Sequence, residues 1–499
     1  MLKSKSPIHP IWVWLFFFVP TWVLLKTSFG MLICDDAYIT LSHVKSWIDL
    51  GRPIMSINNP VCATSTPLYT MVLSLFYISL RIEPSYLAFA LNWILDFGIL
   101  ILIFNISRVF GINYFFSALS VTLYALSRLA LSTSASGMET PLYIFLILFS
   151  FYNILSTPKS KINILLLFLL ALTRPEAILA CGSVILICLI KKHNLRLIFQ
   201  FSLASILGLS SQFVFYFFAY GRFLPHSVIA KNGSNNSAIL SALRYWWDSL
   251  FFGGPVYGGL KTIILLNSLV LILSLIGLYH ARKNFQIRFL LIWPTFYLIF
   301  FLITKASKDV FTWYYLPLLP FLIIVISFGL QSFFSSNNLL RFQKFGWITL
   351  VLFMGIVLYR NYFCDKIAFK YQRLNIQREG IYKKSADFIA LNSNTTSVVL
   401  IEEVGTLGYF LPRKTIDLCG IVSPEIVATK FPSLELAVKK FSPEWVIVAT
   451  PPDLVQCHLC WQKDYELKES FPKFNEHLLL NLWAKSLKES SPLRPQVSR

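Results

Sequence analysis

Two adjacent aspartates, Asp35 and Asp36, stand in the string CDDAYITLSHVKSWIDLGRPI, just past the first long apolar run of the chain. Apolar neighbours (Met31, Leu32, Ile33, Tyr38 and Ile39) hold them close to a membrane surface. A desolvated or paired carboxylate in such a place can take a proton from an acceptor hydroxyl. The plainer expectation is that Asp36 caps a helix beginning at Ala37, because Asp is a favoured N-cap residue. In Ser136-Gly137-Met138-Glu139-Thr140-Pro141, Glu139 either marks a helix start or supplies a second acid facing the first pair. Arg128, placed inside an apolar run, calls for a partner or an anionic ligand.

Thr173-Arg174-Pro175-Glu176 breaks another apolar run. Arg174 and Glu176 form either a local ion pair between two half-length helices or a fixed guanidinium for a phosphate, with Glu176 as a supporting acid. Tyr220 to Lys231 adds Arg222, His226 and Lys231. These are ordinary interfacial anchors or, together with Arg174, groups that neutralise the charge of a phosphate leaving group.

Positioning such residues falls to apolar spans. About eleven can be marked, near 11–30, 86–107, 113–132, 141–157, 162–175, 176–190, 197–219, 260–279, 286–304, 311–333 and 345–360. With the N-terminus on the cytoplasmic side, every inner loop carries Lys or Arg. That orientation requires the 14-residue stretch PLYTMVLSLFYISL at 67–80 not to cross, and its length fits a helix lying on the outer face. The first external loop then covers 31–85 and the second long one 220–259. Beyond 360 the pattern changes to short β-branched runs at 397–403, 414–418 and 444–450 between helices at about 372–391 and 431–441. The expected fold is an α-helical polytopic membrane protein: a transmembrane catalytic domain over 1–360 and an extracytoplasmic α/β domain over 361–499.

Of 499 residues, 56% are hydrophobic and 14% charged, so lipid is the expected solvent for most of the surface. The net charge of +20 is spread over short interspan clusters, which fits anionic lipid and positive-inside loops and argues against a nucleic-acid partner. The first apolar run is too long for a signal-peptide core and lacks a small-x-small cleavage site, so it reads as a retained span. Disulfides are allowed among Cys34, Cys62, Cys364, Cys419, Cys457 and Cys460, but no pairing follows. Cys457-His458-Leu459-Cys460 has neither a second ligand pair nor a redox-fold pattern around it, which weakens a zinc or redox reading.

Taken together, DDAYIT, the GRP turn, TSTPLY, SGMETPLY, LTRPEA, YGRFLPHSVIAK, TWYYLPLLPFL and IEEVGTLGYFLPRKTIDLCGIVSPE resemble the GT-C superfamily of integral-membrane glycosyltransferases. The likeness is to a DDAYI or DDAFI branch that includes mycobacterial terminal arabinofuranosyltransferases and mannosyltransferase-like proteins. It implies a polyprenyl-phosphate sugar donor taken from the membrane. It also implies an extracytoplasmic glycan, glycolipid or protein acceptor, such as lipopolysaccharide, and a plasma (inner) membrane location. One acid of the first-loop pair would be the general base of an inverting transfer, and the resemblance leaves open whether it is Asp35 or Asp36. Arg174, His226, Lys231 and Arg222 fall in stretches that resemble donor-binding segments. Glu139 takes the place of the family's second acidic motif. A lone Glu there argues against an obligatory divalent metal, and no other cofactor is implied. Glu402, Glu403, Tyr409, Arg413 and Asp417 either shape acceptor binding or hold the C-terminal fold. The rival readings are a transporter or flippase of lipid-linked sugars and a non-catalytic envelope assembly protein. The lack of internal repeats and the sizeable α/β domain count against the first.

Overall fold

The computed structural model describes residues 10–232, 272, 275–280, 282, 287–304, 312–336, 343–359, 366–411, 413–430, 433–450, 464–472 and 479–485. Its N-terminal part is built of helices: α1 (Pro10–Phe29), α2 (Asp35–Leu50), α3 (Pro67–Leu80), α4 (Pro84–Val109), α5 (Tyr114–Ala125), α6 (Arg128–Ala135), α7 (Thr140–Ser156), α8 (Ile162–Thr173), α9 (Ala177–Ile190), α10 (Leu195–Tyr220) and α11 (His226–Asn232). Three more follow at Phe289–Thr304, Leu319–Ser336 and Gln343–Tyr359.

Among the described residues, four helical stretches are long and apolar enough to cross a membrane: Ile11–Phe29, Pro84–Val109, Leu195–Tyr220 and Leu316–Ser335. A fifth is counted if Tyr114–Ala125 and Leu129–Ala135, bent by 53°, form one span. The single straight span expected over 113–132 is thus two helices, parted where Ser127 takes a β-region conformation between them. The expected span at 260–279 falls largely outside the described residues, as does most of the loop at 220–259. At 14 residues, or roughly 21 Å of rise, α3 is shorter than the hydrocarbon core, as its composition led us to expect.

One apolar core runs from α1 to Gln343–Tyr359, with Tyr143, Phe151, Trp293 and Phe321 at its centre. Large apolar side chains such as Phe16, Leu195 and Phe218 point outward, as a surface facing lipid requires. α4 packs on α5 and α7, and α10 packs on α8 and α9.

The C-terminal unit starts with the helix Lys366–Leu391 and contains a five-stranded sheet. Its strands are β1 (Val398–Ile401), β2 (Lys414–Asp417), β3 (Trp445–Thr450), β4 (Tyr465–Pro472) and β5 (Leu479–Lys485), in the order β2-β1-β3-β5-β4. β2, β1 and β3 are parallel, and β5 and β4 add antiparallel at the β3 edge. The three expected strands are present. The β4–β5 hairpin is not marked in the sequence, because Lys468 and Glu469 side by side break the alternation that YELKESFP would otherwise show and charge is common on an edge strand.

The two parts meet through the loops after α1 and α2. Ile39, Met55 and Ala63 belong to the same apolar cluster as Tyr382, Val404, Leu407 and Leu411. The Asn59 amide docks on β2 as a strand would, donating to the Thr415 carbonyl at 2.7 Å and accepting from the Thr415 N–H at 2.9 Å.

Candidate functional site

The connector between α1 and α2 runs alongside the end of α6. The Leu32 N–H donates to Ala135 O and the Cys34 N–H to Ser136 O, each at 3.0 Å. This short ladder fixes where α2 can begin. Cys34 occupies the N-cap position with extended φ/ψ, and Asp35 and Asp36 both lie in the first turn. The expectation that Asp36 caps a helix starting at Ala37 is therefore corrected: a partner roughly 100 residues away sets the start. Glu139 follows Ser136 by one tight turn with Gly137 at φ 75°.

The two acids meet different surroundings. The Asp35 carboxylate accepts the backbone N–H of Gly405 at 3.0 Å and of Thr406 at 2.7 Å, at the start of the short helix Gly405–Phe410. Charge-assisted bonds of this kind are about twice as strong as neutral ones. The approach is so close that a Cβ on Gly405 would sit 1.9 Å from the Asp35 carbonyl oxygen, so only glycine fits there. Nearby, the Tyr38 and Tyr409 rings pack at 5.1 Å, Lys45 lies 5.2 Å over Tyr409, and the Tyr409 hydroxyl bonds Glu83. Asp35 thus helps seat the C-terminal unit on the helical part.

Asp36 faces a cavity. Its walls include Thr40, Thr64, Thr66, Met138, Glu139, Arg174, Ser227, Trp313, Tyr314 and Ile421. Arg174 enters because Pro175 disfavours helix for the residue before it, leaving Arg174 extended at the end of α8. Arg174 is 3% exposed, and its guanidinium donates Nε–H to Glu139 Oε1 at 2.8 Å, a second bond from Nη2 to the same oxygen, and Nη1–H to Glu176 at 3.4 Å. The Tyr143 and Tyr314 rings lie 5.6 and 5.4 Å from it. A guanidinium has five donors, so these three contacts leave capacity for an anion.

The opposite wall is a row of threonines: Thr64 Oγ1 lies 3.3 Å from Thr40 Oγ1 and 3.1 Å from Thr66 Oγ1. His43 holds this wall from behind. Its Nε2 accepts the Ala63 N–H at 2.9 Å, which places the proton on Nδ1, 2.6 Å from Ile39 O. Full burial depresses its pKa to about 4, so the ring is neutral at ordinary pH.

The 134–139 wall is held from the helices below. Asn92 donates to Ser134 O at 3.2 Å and Met138 O at 3.0 Å, and the Tyr69 hydroxyl donates to Gly137 O at 3.1 Å. Lys26 pairs with Asp96 and donates to Ser134 Oγ at 2.7 Å. Asn92, Lys26, Asp96 and His43 are not singled out in the sequence, and Thr40, Thr64 and Thr66 enter it only within the DDAYIT and TSTPLY strings. The first three carried a readable signal, being polar or charged residues inside or at the end of apolar runs.

The structure brings Asp36, Glu139, Arg174 and Glu176 together and places Asp35, Arg222 and His226 apart from them. His226 begins α11, its N–H bonded to Cys62 O at 2.9 Å. Its buried ring lies beside Gly420 and Ser423, and burial and the Arg222 charge both lower its pKa; it does not line the cavity, whereas its neighbour Ser227 does. Arg222 is exposed, 5.5 Å from the Tyr220 ring. The side chains of Lys231 and Arg128, and the Cys457–Cys460 string, lie outside the described residues. Arg413 bonds the carbonyls of Ala390 and Ser393, and Asp417 accepts N–H groups from Cys419, Ile421 and Val422, so both serve the fold. Among the described residues, no three His, Cys, Asp or Glu side chains are grouped to hold a metal ion.

Comparison with known proteins gives a fold. ArnT from Cupriavidus metallidurans in the apo state superposes with a TM-score of 0.60 at 12% identity, covering 94% of this chain and 97% of that one. The same protein bound to undecaprenyl phosphate gives 0.57 at 13% identity, covering 94% and 98%. Residues 370–488 match a family described as a domain of unknown function (DUF8728). No curated protein matches.

Proposed function

We propose that this chain is a membrane glycosyltransferase that moves a sugar from a polyprenyl-phosphate donor to an acceptor hydroxyl outside the cytoplasm, with Asp36 as general base. The observation that carries the reading is the single cavity into which Asp36 and the Arg174–Glu139 pair both open. The motif resemblance to GT-C enzymes supports it. So does the shared fold with ArnT, a protein crystallised with undecaprenyl phosphate, the class of carrier that the reaction would use.

In this reading Asp36 removes the proton of the acceptor O–H, and the oxygen attacks the anomeric carbon from the face opposite the phosphate. The bond from that carbon to the phosphate oxygen breaks with inversion, and the lipid phosphate leaves with the electron pair. Arg174 meets the developing charge with its remaining N–H donors, while Glu139 and Glu176 hold it in place. Asp35 is a positioning residue, because its carboxylate is engaged by the Gly405 and Thr406 N–H groups. As it stands the cavity holds about 50 Å³, enough for a few waters or a hydroxyl group, so a sugar ring enters only when a wall shifts. The base mechanism asks for no metal, and activity lost to a chelator and restored by a divalent cation would remove that part of the proposal.

The test is glycan and glycolipid profiling of a strain lacking the protein. The expected result is one missing sugar, restored by the wild-type gene and not by Asp36→Asn. An unchanged profile, or full rescue by Asp36→Asn, contradicts the reading.

A further inference from the structure

The helix that carries Arg174 to the cavity leaves a groove at its other end. α8 and α10 both begin at the face opposite the candidate site, and their N-terminal halves line a cavity of about 590 Å³. Lys159, Lys161 and Arg196 line it at the starts of the two helices, and Ile164, Phe168 and Leu207 are among its apolar walls. Among the described residues, no acidic side chain lines it. Leu165 and Leu207 are 54% and 51% exposed, so the walls open sideways to the surroundings of the helices. The groove has a definite end: at Gly208 the helices touch, and a Cβ there would lie 2.3 Å from the Phe168 carbonyl oxygen.

We propose that this groove binds one anionic glycerophospholipid, its phosphate at Lys159, Lys161 and Arg196 and one acyl chain along the α8–α10 seam. Three cations with no acid among the described lining residues select a lipid of net negative charge over a zwitterionic one. The length selects an acyl chain. From Arg196 to Leu207 the helix rises roughly 16 Å, about half of the ~30 Å hydrocarbon core. A chain confined to one leaflet fills that distance, and the Gly208 contact stops anything longer. The binding is distinct from the proposed transfer site, which lies beyond that contact.

Native mass spectrometry of the full-length protein, titrated with phosphatidylglycerol or with phosphatidylcholine of the same chains, tests the assignment. Phosphatidylglycerol should bind at least about tenfold tighter, and Lys159→Gln with Lys161→Gln and Arg196→Gln should weaken it about a hundredfold. Leu207→Trp, placed at an exposed wall, should reduce binding with no change in the melting temperature. Equal affinity for the two lipids, or a triple variant that binds like wild type, overturns the proposal. Displacement of phosphatidylglycerol by undecaprenyl phosphate at a lower concentration overturns the choice of occupant.

Discussion

The segment from Ser134 to Glu139 is pinned at its two ends by buried ion pairs that face different things. At one end Lys26 reaches Asp96 and Ser134 beneath the rings of Trp22 and Trp93, 5.3 and 5.1 Å away, and neither charge lines the site cavity. At the other, Glu139 and Arg174 are as deeply buried but form part of the cavity wall beside Asp36. Burial of charge in an apolar layer therefore does not by itself mark a working site. In the proposed mechanism access does: the sealed pair should be replaceable, and the open pair should not.

Breaking one partner of a buried pair costs about 3–5 kcal/mol, whereas replacing both by apolar residues of similar size is often neutral. Arg174→Met leaves Glu139 and Glu176 facing each other and should both destabilise the protein on that scale and abolish transfer, read by thermal unfolding and by product formation. Lys26→Met with Asp96→Leu should unfold within about 1 kcal/mol of wild type and keep its activity. Equal loss of activity in the two variants would erase the distinction between the sealed and the open pair.

The cavity's far wall sharpens the contrast through pH. The folded-state pKa of His43, about 4, lies below its unfolded value of about 6.5. The unfolded chain binds the proton first, so the contribution is complete above pH 6.5 and is lost as pH falls toward 4. The loss amounts to about 3 kcal/mol. Unfolding measured across that window should show the decline, and His43→Gln should flatten it.

A smaller effect is expected where Asp35 seats the C-terminal unit. Gly405→Ala forces a Cβ against the Asp35 backbone and should lower transfer about tenfold while raising proteolysis within 366–411. An unaltered proteolysis pattern would show that the contact does not hold the two parts together.

Much of this was legible in the sequence, for local reasons. Apolar runs marked most of the described helices, β-branched runs marked β1, β2 and β3, and Pro175 signalled the break that presents Arg174. What was not legible depends on distant partners. Asp36 looked like a helix cap because the Cys34–Ser136 hydrogen bond that moves the cap to Cys34 joins residues far apart in the chain. Asp35 and Asp36 are chemically identical as neighbours in a string. They separate only when Gly405 and Thr406 engage one of them. Arg222 and His226 read as phosphate ligands by type, but the fold turns Arg222 outward over Tyr220 and buries His226 against the Gly420–Ser423 loop.

In the proposed mechanism the two adjacent acids have different work. Transfer rates of Asp35→Asn and Asp36→Asn, measured on purified protein with unfolding temperatures determined alongside, test it most directly. Asp36→Asn should melt like wild type and lose at least about a hundredfold in rate, and Asp35→Asn should melt lower while retaining measurable transfer. An Asp36→Asn protein that keeps its rate while Asp35→Asn loses it at unchanged stability would contradict the account.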